Sequence, residues 1–232
     1  MDFHDRHVVV TGGTGALGTA IVGALLAAGA TCHVPYLHQA EADRFPHRSN
    51  TRVKLIGDVE LTEEAAVARL YDGIPTLWAS IHLAGGFAAK TVTETGKRDL
   101  MQQLETNVVT CVLCSREAVK TMKRSGGGRV VNVAARPALE WRTGAGMTAY
   151  AASKAAVAAF SVALAEEVAK DGVLVNAIAP SIMDTPANRQ AMPKADFATW
   201  PKVEEVAQTV LYLASPDNRV TRGAVVPVYG RS

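Results

Sequence analysis

What most constrains this chain is the alternation of short apolar runs with longer helical patterns along nearly its whole length. His7–Val10, Thr31–Val34, Arg52–Ile56, Trp78–Leu83, Arg129–Val133, Val173–Ile178 and Ala224–Val228 read as strands. Helical patterns lie between them at Ala16–Ala28, Glu63–Tyr71, Arg98–Arg124, Thr148–Lys170 and Val203–Ala214. Several strands are apolar throughout instead of alternating, as expected where helices cover both faces of a sheet. The order predicts an α/β protein with a doubly wound parallel sheet of about seven strands. With 232 residues, 48% of them hydrophobic, the chain suits one large domain spanning 1–232 better than two small ones.

Charge narrows the partners. Lys plus Arg number 24 against 22 Asp plus Glu, a net charge of +2. So balanced a surface has little pull toward phosphate backbones or anionic membranes, so neither nucleic acid nor membrane is an expected partner. The N-terminus shows no signal-peptide pattern, and no apolar run approaches bilayer length. Cys32, Cys111 and Cys114 make no disulfide framework. The Cys111–Cys114 pair has zinc-knuckle spacing but no second ligand pair, and reads as packing within a helix. No metal is expected, and a cytoplasmic location is. Ser125–Gly128 reads as a turn ending a helix. Asp184–Pro201, with three prolines and the aromatics Phe197 and Trp200, reads as a substrate-covering loop with both aromatics exposed.

Directly after the first strand comes Thr11-Gly12-Gly13-Thr14-Gly15-Ala16-Leu17-Gly18, and a helix follows. Such a loop lets backbone approach a pyrophosphate, while the helix N-terminus offers free N–H groups and a positive dipole end. Gly13, Gly15 and Gly18 have the dinucleotide fingerprint spacing, which predicts a Rossmann-type nucleotide site. An acidic residue closing the second strand would bind ribose hydroxyls and favour NAD. Here that strand ends Val34-Pro35-Tyr36-Leu37-His38, with Glu41 and Asp43 expected only in the following turn. Tyr36 and His38 tolerate a 2′-phosphate better than a carboxylate would, with Arg44 or Arg48 near enough to approach it. The reading therefore leans to NADP, with NAD as the alternative. Asp58, followed by Val59 after the third strand, is placed to accept from the adenine amino group.

Tyr150-Ala151-Ala152-Ser153-Lys154 opens a long alanine-rich helix. Residues four apart share a helical face, so phenol and ammonium point into one space, and a nearby cation favours the phenolate. Tyr150 is thereby expected to be a proton donor with a lowered pKa. Taken together, these motifs resemble the short-chain dehydrogenase/reductase family, in the right order over essentially the whole chain. Thr11–Gly18 matches its glycine motif. Ala84-Gly85, followed by Gly86, matches the end of its Asn-Asn-Ala-Gly, with His82-Leu83 in place of the asparagines. The resemblance implies hydride transfer with Tyr150 and Lys154 as the catalytic pair. It gives Asn107 the support of a proton-relay water. Pro180, Ser181, Ile182 and Thr185 fall beside the nicotinamide, with Thr185 at its carboxamide.

One residue of the family pattern is missing: Ala135 stands where a serine normally closes the fifth strand. Dihydropteridine reductases, a branch of the family, also lack it. Ala84–Gly86, Thr143–Met147 and Asp184–Phe197 resemble that branch, whereas Asn107 and the missing second-strand aspartate depart from it. Ala135, Arg136, Thr143, Met147 and Trp200 are the expected substrate residues. A reductase of a conjugated ring, a ketone or 3-oxoacyl reductase using Thr143 or Thr148 as substitute hydroxyl, and a non-catalytic NADP(H)-sensing protein are the three readings. Retention of Tyr150, which a sensor does not need, argues against the last. Resemblance also implies a homodimer or homotetramer through the helices at Arg98–Arg124 and Thr148–Lys170.

Overall fold

In a computed structural model, which describes residues 1–232, the chain runs β1 (His7–Thr11), α1 (Ala16–Ala27), β2 (Thr31–Pro35), α2 (Gln39–Arg44), β3 (Val53–Ile56) and α3 (Glu64–Asp72). It continues with β4 (Leu77–His82), α4 (Lys97–Leu104), α5 (Thr110–Arg124), β5 (Gly128–Val133), α6 (Thr148–Glu167) and β6 (Val173–Pro180). α7 (Pro186–Ala191), α8 (Val203–Ala214) and β7 (Val225–Val228) complete it. One parallel sheet holds all seven strands in the order β3-β2-β1-β4-β5-β6-β7. The strand order reverses between β1 and β4, and that switch opens a crevice at the carboxyl ends of the strands.

Both faces of the sheet are covered, which is why most positions of its strands are apolar. Ile21, Leu25 and Leu26 of α1 and Val206, Val210 and Leu213 of α8 fill one side. Val67, Leu70, Leu113, Cys114 and Met122 fill the other. Each such large side chain contributes roughly 1.5–3 kcal/mol on burial. Cys111 and Cys114 are buried and unpaired in α5, as packing residues. Gly127 takes a left-handed backbone after α5, and its N–H closes on Met122 O.

Three expectations change. The helix read as continuous over Arg98–Arg124 is two helices joined by a π turn at Glu105–Val109. Thr110 N–H donates to Glu105 O, five residues back, while its hydroxyl donates to Thr106 O at 2.7 Å. The side chain thus satisfies the carbonyl that the wider turn leaves free. The segment Asp184–Pro201 is folded, not open. Its ends pair at Asp184 and Lys202, Arg189 grips Asp184 at 2.6 and 2.8 Å, and α7 forms inside it. Trp200 is buried against Phe197, ring centroids 5.0 Å apart, so the pair is a small core and not an exposed face. Finally, α6 does have the length and composition of a membrane span, at 20 residues. Its packing on β5 and β6 makes it a layer helix of the α/β fold.

Candidate active site

The loop after β1 is shaped by contacts that exclude side chains. Gly12 has φ +64°, and a Cβ there would lie 2.8 Å from Ala84 N. A Cβ on Gly18 would run into the Gly12 carbonyl, and one on Gly13 would sit 2.8 Å from Val34 Cγ1. The loop is therefore pressed onto the ends of β2 and β4. Gly15 is different. It is exposed, and a Cβ there meets nothing closer than Gly12 O at 3.4 Å. No side chain caps α1, and the N–H groups of Ala16, Leu17 and Gly18 donate to no protein acceptor. Unpaired donors at an uncapped helix start, beside a glycine that leaves the approach open, fit a pyrophosphate.

At the adenosine end, Tyr36 donates to Gln39 Oε1 at 3.1 Å and lies over Gly57. His38 caps α2. Asp58 is exposed with φ +56°, and Val59 N–H returns to Tyr36 O, tying the ends of β2 and β3 together. Arg44 and Arg48, expected near a 2′-phosphate, turn instead to the backbone carbonyls of Ala40 and Phe45. Glu41 belongs to helix α2 and not to a loose turn, and its carboxylate reaches back to Thr14 of the glycine loop at 3.2 Å.

The chemistry-bearing groups meet where β4, β5 and α6 converge. Thr11 holds the residues after β4, since its hydroxyl accepts from Ala84 N at 3.3 Å. The Asn107 carboxamide, fully buried, clasps Gly86 twice: it accepts from Gly86 N at 2.9 Å and donates to Gly86 O at 3.0 Å. It also donates to Ser153 Oγ at 3.0 Å, and Ser153 donates to Tyr150 O at 2.7 Å. The expected relay side chain is thus spent on fixing the Gly85–Gly86 backbone and the start of α6. A Cβ on Gly85 would fall 2.6 Å from Asn107 Oδ1 and 3.4 Å from Lys154 Nζ.

Lys154 is buried and donates to Val133 O at 2.9 Å, at the end of β5. Burial draws its ammonium down to about 8. Tyr150 departs from expectation: burial pushes its phenol up to about 12, and no cation offsets this. Its hydroxyl has no protein hydrogen bond, and a phenol so raised is fully protonated at neutral pH. Phe87, 64% exposed, stands edge-on to the Tyr150 ring at 4.9 Å. Neither Ser153 nor Phe87 stood out in the sequence. Ser153 had one signal, a hydroxyl in an otherwise alanine-rich turn beside Lys154; Phe87 had none.

Around this centre, Ala135 is buried two residues after the end of β5 and offers no hydroxyl. Arg136 pairs with Glu140 at 2.8 Å and lies over the Tyr229 ring. Thr143 is exposed and gives its hydroxyl to Glu140 O at 2.8 Å, so as a substitute for the serine it is already engaged. Met147 precedes α6 and its carbonyl accepts from Ala151 N. Thr148, exposed at the first position of α6, has an uncommitted hydroxyl. After β6, Pro180 leads to Ser181, which donates to Tyr229 O at 3.0 Å, then to exposed Ile182 and to Thr185, which caps α7. Trp200 is not at this centre. It lines a separate cavity of about 640 Å³ with Pro201, Val228 and Gly230.

Comparison with known proteins agrees with this architecture. The short chain dehydrogenase family model matches residues 6–196. The chain is 31% identical over 242 residues to galactitol 2-dehydrogenase of Rhizobium johnstonii, covering 96% of this chain and 93% of that one. It is 26% identical to an NADPH-dependent aldehyde reductase-like protein of Arabidopsis thaliana, over 97% of this chain and 93% of that one. Among solved structures, a short-chain type dehydrogenase/reductase from Mycobacterium ulcerans superposes with TM-score 0.90 at 24% identity, covering 99% and 90% of the two chains. ElxO with NADP bound gives 0.88 at 22%, covering 97% of each. With the family match spanning most of its length, the chain belongs to the short-chain dehydrogenase/reductases and is an NAD(P)-dependent oxidoreductase.

Proposed function

We propose that the chain reduces a conjugated, electron-poor ring in the manner of a dihydropteridine reductase, with Tyr150 as proton donor. The observation that carries this reading is Ala135, buried at the place where a hydroxyl would polarise a substrate carbonyl. A ring already delocalised and electron-poor has less need of that hydrogen bond than an isolated ketone. Phe87, exposed beside Tyr150, offers a flat apolar surface to such a ring. A nicotinamide coenzyme held there would supply the hydride. Tyr150, protonated at neutral pH, gives the matching proton, so one hydride and one proton saturate one double bond. Lys154, braced by Val133 O, would hold the nicotinamide ribose. Gly15 and the free N–H groups at the start of α1 would hold the pyrophosphate.

Reduction of a ketone is the second reading. It is favoured by the free hydroxyl of Thr148 and by the likeness to a galactitol 2-dehydrogenase. The two part in one assay, nicotinamide oxidation with quinonoid dihydropterin and with simple ketones. Fast oxidation with the pterin, lowered roughly 10²–10⁴-fold in Tyr150→Phe while coenzyme binding persists, is the expected result. Turnover of ketones alone would reject the ring reading, and coenzyme binding with no turnover of either would favour a sensor.

A further inference from the structure

Trp200 is 7% exposed, and its indole N–H donates to no protein acceptor. No fully buried side-chain donor in the molecule lacks a partner, so this N–H stays accessible. The open space that Trp200 lines is a cavity of about 640 Å³. That volume falls in the range of small-molecule sites, roughly 300–1,000 Å³. A nearly buried donor with no protein acceptor is a group that a ligand satisfies with gain. None of the residues lining this cavity lies in the glycine loop, β4 or α6, which build the dinucleotide crevice and the reaction centre.

The cavity has two fixed walls. One runs through Trp200 and Pro201 into the start of α8, held where Asp184 N–H donates to Pro201 O at 2.9 Å. The other is the tail after β7, where Arg231 N–H donates to Thr199 O at 2.9 Å. Gly230, at φ +64°, makes that approach possible, since a Cβ there would lie 2.9 Å from Pro201 N. Pro201, Val206 and Val228 give the interior an apolar lining beside the indole. Lys202 and Arg231 bring two positive charges, and neither forms an ion pair with a protein carboxylate. Asp184, which feels the Lys202 charge, is already gripped by Arg189 at 2.6 and 2.8 Å. The one lining carboxylate, Glu205, accepts from Lys202 N at 2.8 Å. The lining thus combines a net positive charge, an apolar interior and an unpaired donor.

We propose that this cavity is a second binding site, separate from the dinucleotide crevice, for a small carboxylate with an apolar body. The Trp200 N–H and the Lys202 and Arg231 side chains meet the carboxylate. The alkyl or aryl body lies on Pro201, Val206 and Val228. The site stands whichever ring or ketone the enzyme reduces.

The test is calorimetry on the wild-type chain with octanoate, 3-phenylpropionate, octan-1-ol and octylamine, with and without saturating NADP⁺. Both carboxylates are expected to bind whether or not NADP⁺ is present. The alcohol and the amine are expected to bind about tenfold or more weakly, because only the carboxylates take charge-assisted hydrogen bonds. A preference for either acid supports the site and tells an alkyl occupant from an aryl one. Trp200→Phe keeps a ring against Phe197 and removes the N–H, while Arg231→Gln removes an exposed charge that is in no ion pair. Each is expected to weaken octanoate about tenfold while leaving octan-1-ol unchanged, a split that a misfolded variant does not give. Equal binding of octanoate and octan-1-ol, tighter binding of octylamine, or affinities unchanged in both variants overturns the proposal. So does failure of both acids to bind. Binding that disappears under NADP⁺ also overturns it, since the acids would then occupy the coenzyme crevice.

Discussion

On the proposed reading, Ala135 decides what the site is able to polarise. Restoring a hydroxyl there, Ala135→Ser, is expected to raise kcat/KM for ketones by up to about 10²-fold while changing the conjugated-ring reaction little. The ratio of the two kcat/KM values measures this, and an equal rise for both substrates would show that the missing hydroxyl sets no preference. Lys154 gives a second expectation. Burial draws its ammonium down to about 8, so its charge, and with it the proposed hold on the coenzyme, is lost as pH rises through that value. We expect kcat/KM to fall above about pH 8, and Lys154→Arg, whose charge persists, to move that descending limb out of range. At this scale the sequence was most legible where backbone geometry demands a residue type. Gly12 and Gly18 are required by contacts, and Tyr150 and Lys154 stand four residues apart on one helix, as their spacing indicated. What escaped is what only packing creates: the placement of Phe87 against Tyr150, and burial raising the phenol that a neighbouring cation was expected to lower.

Among the elements, the strands were read to within two residues, because a buried parallel sheet writes its apolar runs plainly, while the helix read as Thr148–Lys170 ends three residues earlier, at Glu167. The π turn was invisible, since apolar periodicity carries no mark of a single extra residue when a threonine hydroxyl takes up the freed carbonyl. Short α2 and α7 were missed for a related reason: six residues hold too few apolar positions to show a period. The π turn matters because it carries Asn107, whose carboxamide clasps Gly86. Gly85→Ala tests that clasp. The added methyl would meet Asn107 Oδ1 at 2.6 Å, so stability should drop by about 1–3 kcal/mol. Turnover should fall further than the fraction unfolded explains, as Gly86 and the start of α6 shift together. Urea midpoints beside kcat on the folded fraction separate the two effects, and an activity loss no larger than the unfolding would argue against a clasp role.

For the whole molecule, two buried imidazoles set the acid limit. His82 and His33 are each drawn down to about 4 by burial, against about 6.5 in an unfolded chain. Because the folded state holds both neutral, their contribution to stability is complete above about pH 6.5 and is lost as pH falls toward 4. The slope is at most about 1.4 kcal/mol per pH unit for each imidazole. Urea midpoints between pH 7 and 4 should trace that loss, and His33→Gln should make it shallower; an unchanged slope would exempt His33.

His82 also sits directly opposite Asn132 in the β4–β5 register, its Nδ1 2.7 Å from the amide oxygen. Ser80, Tyr71, Ser115 and Ser161 complete the buried cluster. Were β5 to slip by two residues, these polar atoms would be stranded in an apolar interior, an error costing several kcal/mol. The same strand ends at Val133, whose carbonyl braces Lys154, and at Ala135 just beyond. One polar cluster in the core thus ties the register of β5 to the placement of Lys154 and Ala135. A misthreaded chain is too unstable to persist as a sloppy enzyme, and activity and correct folding are lost together.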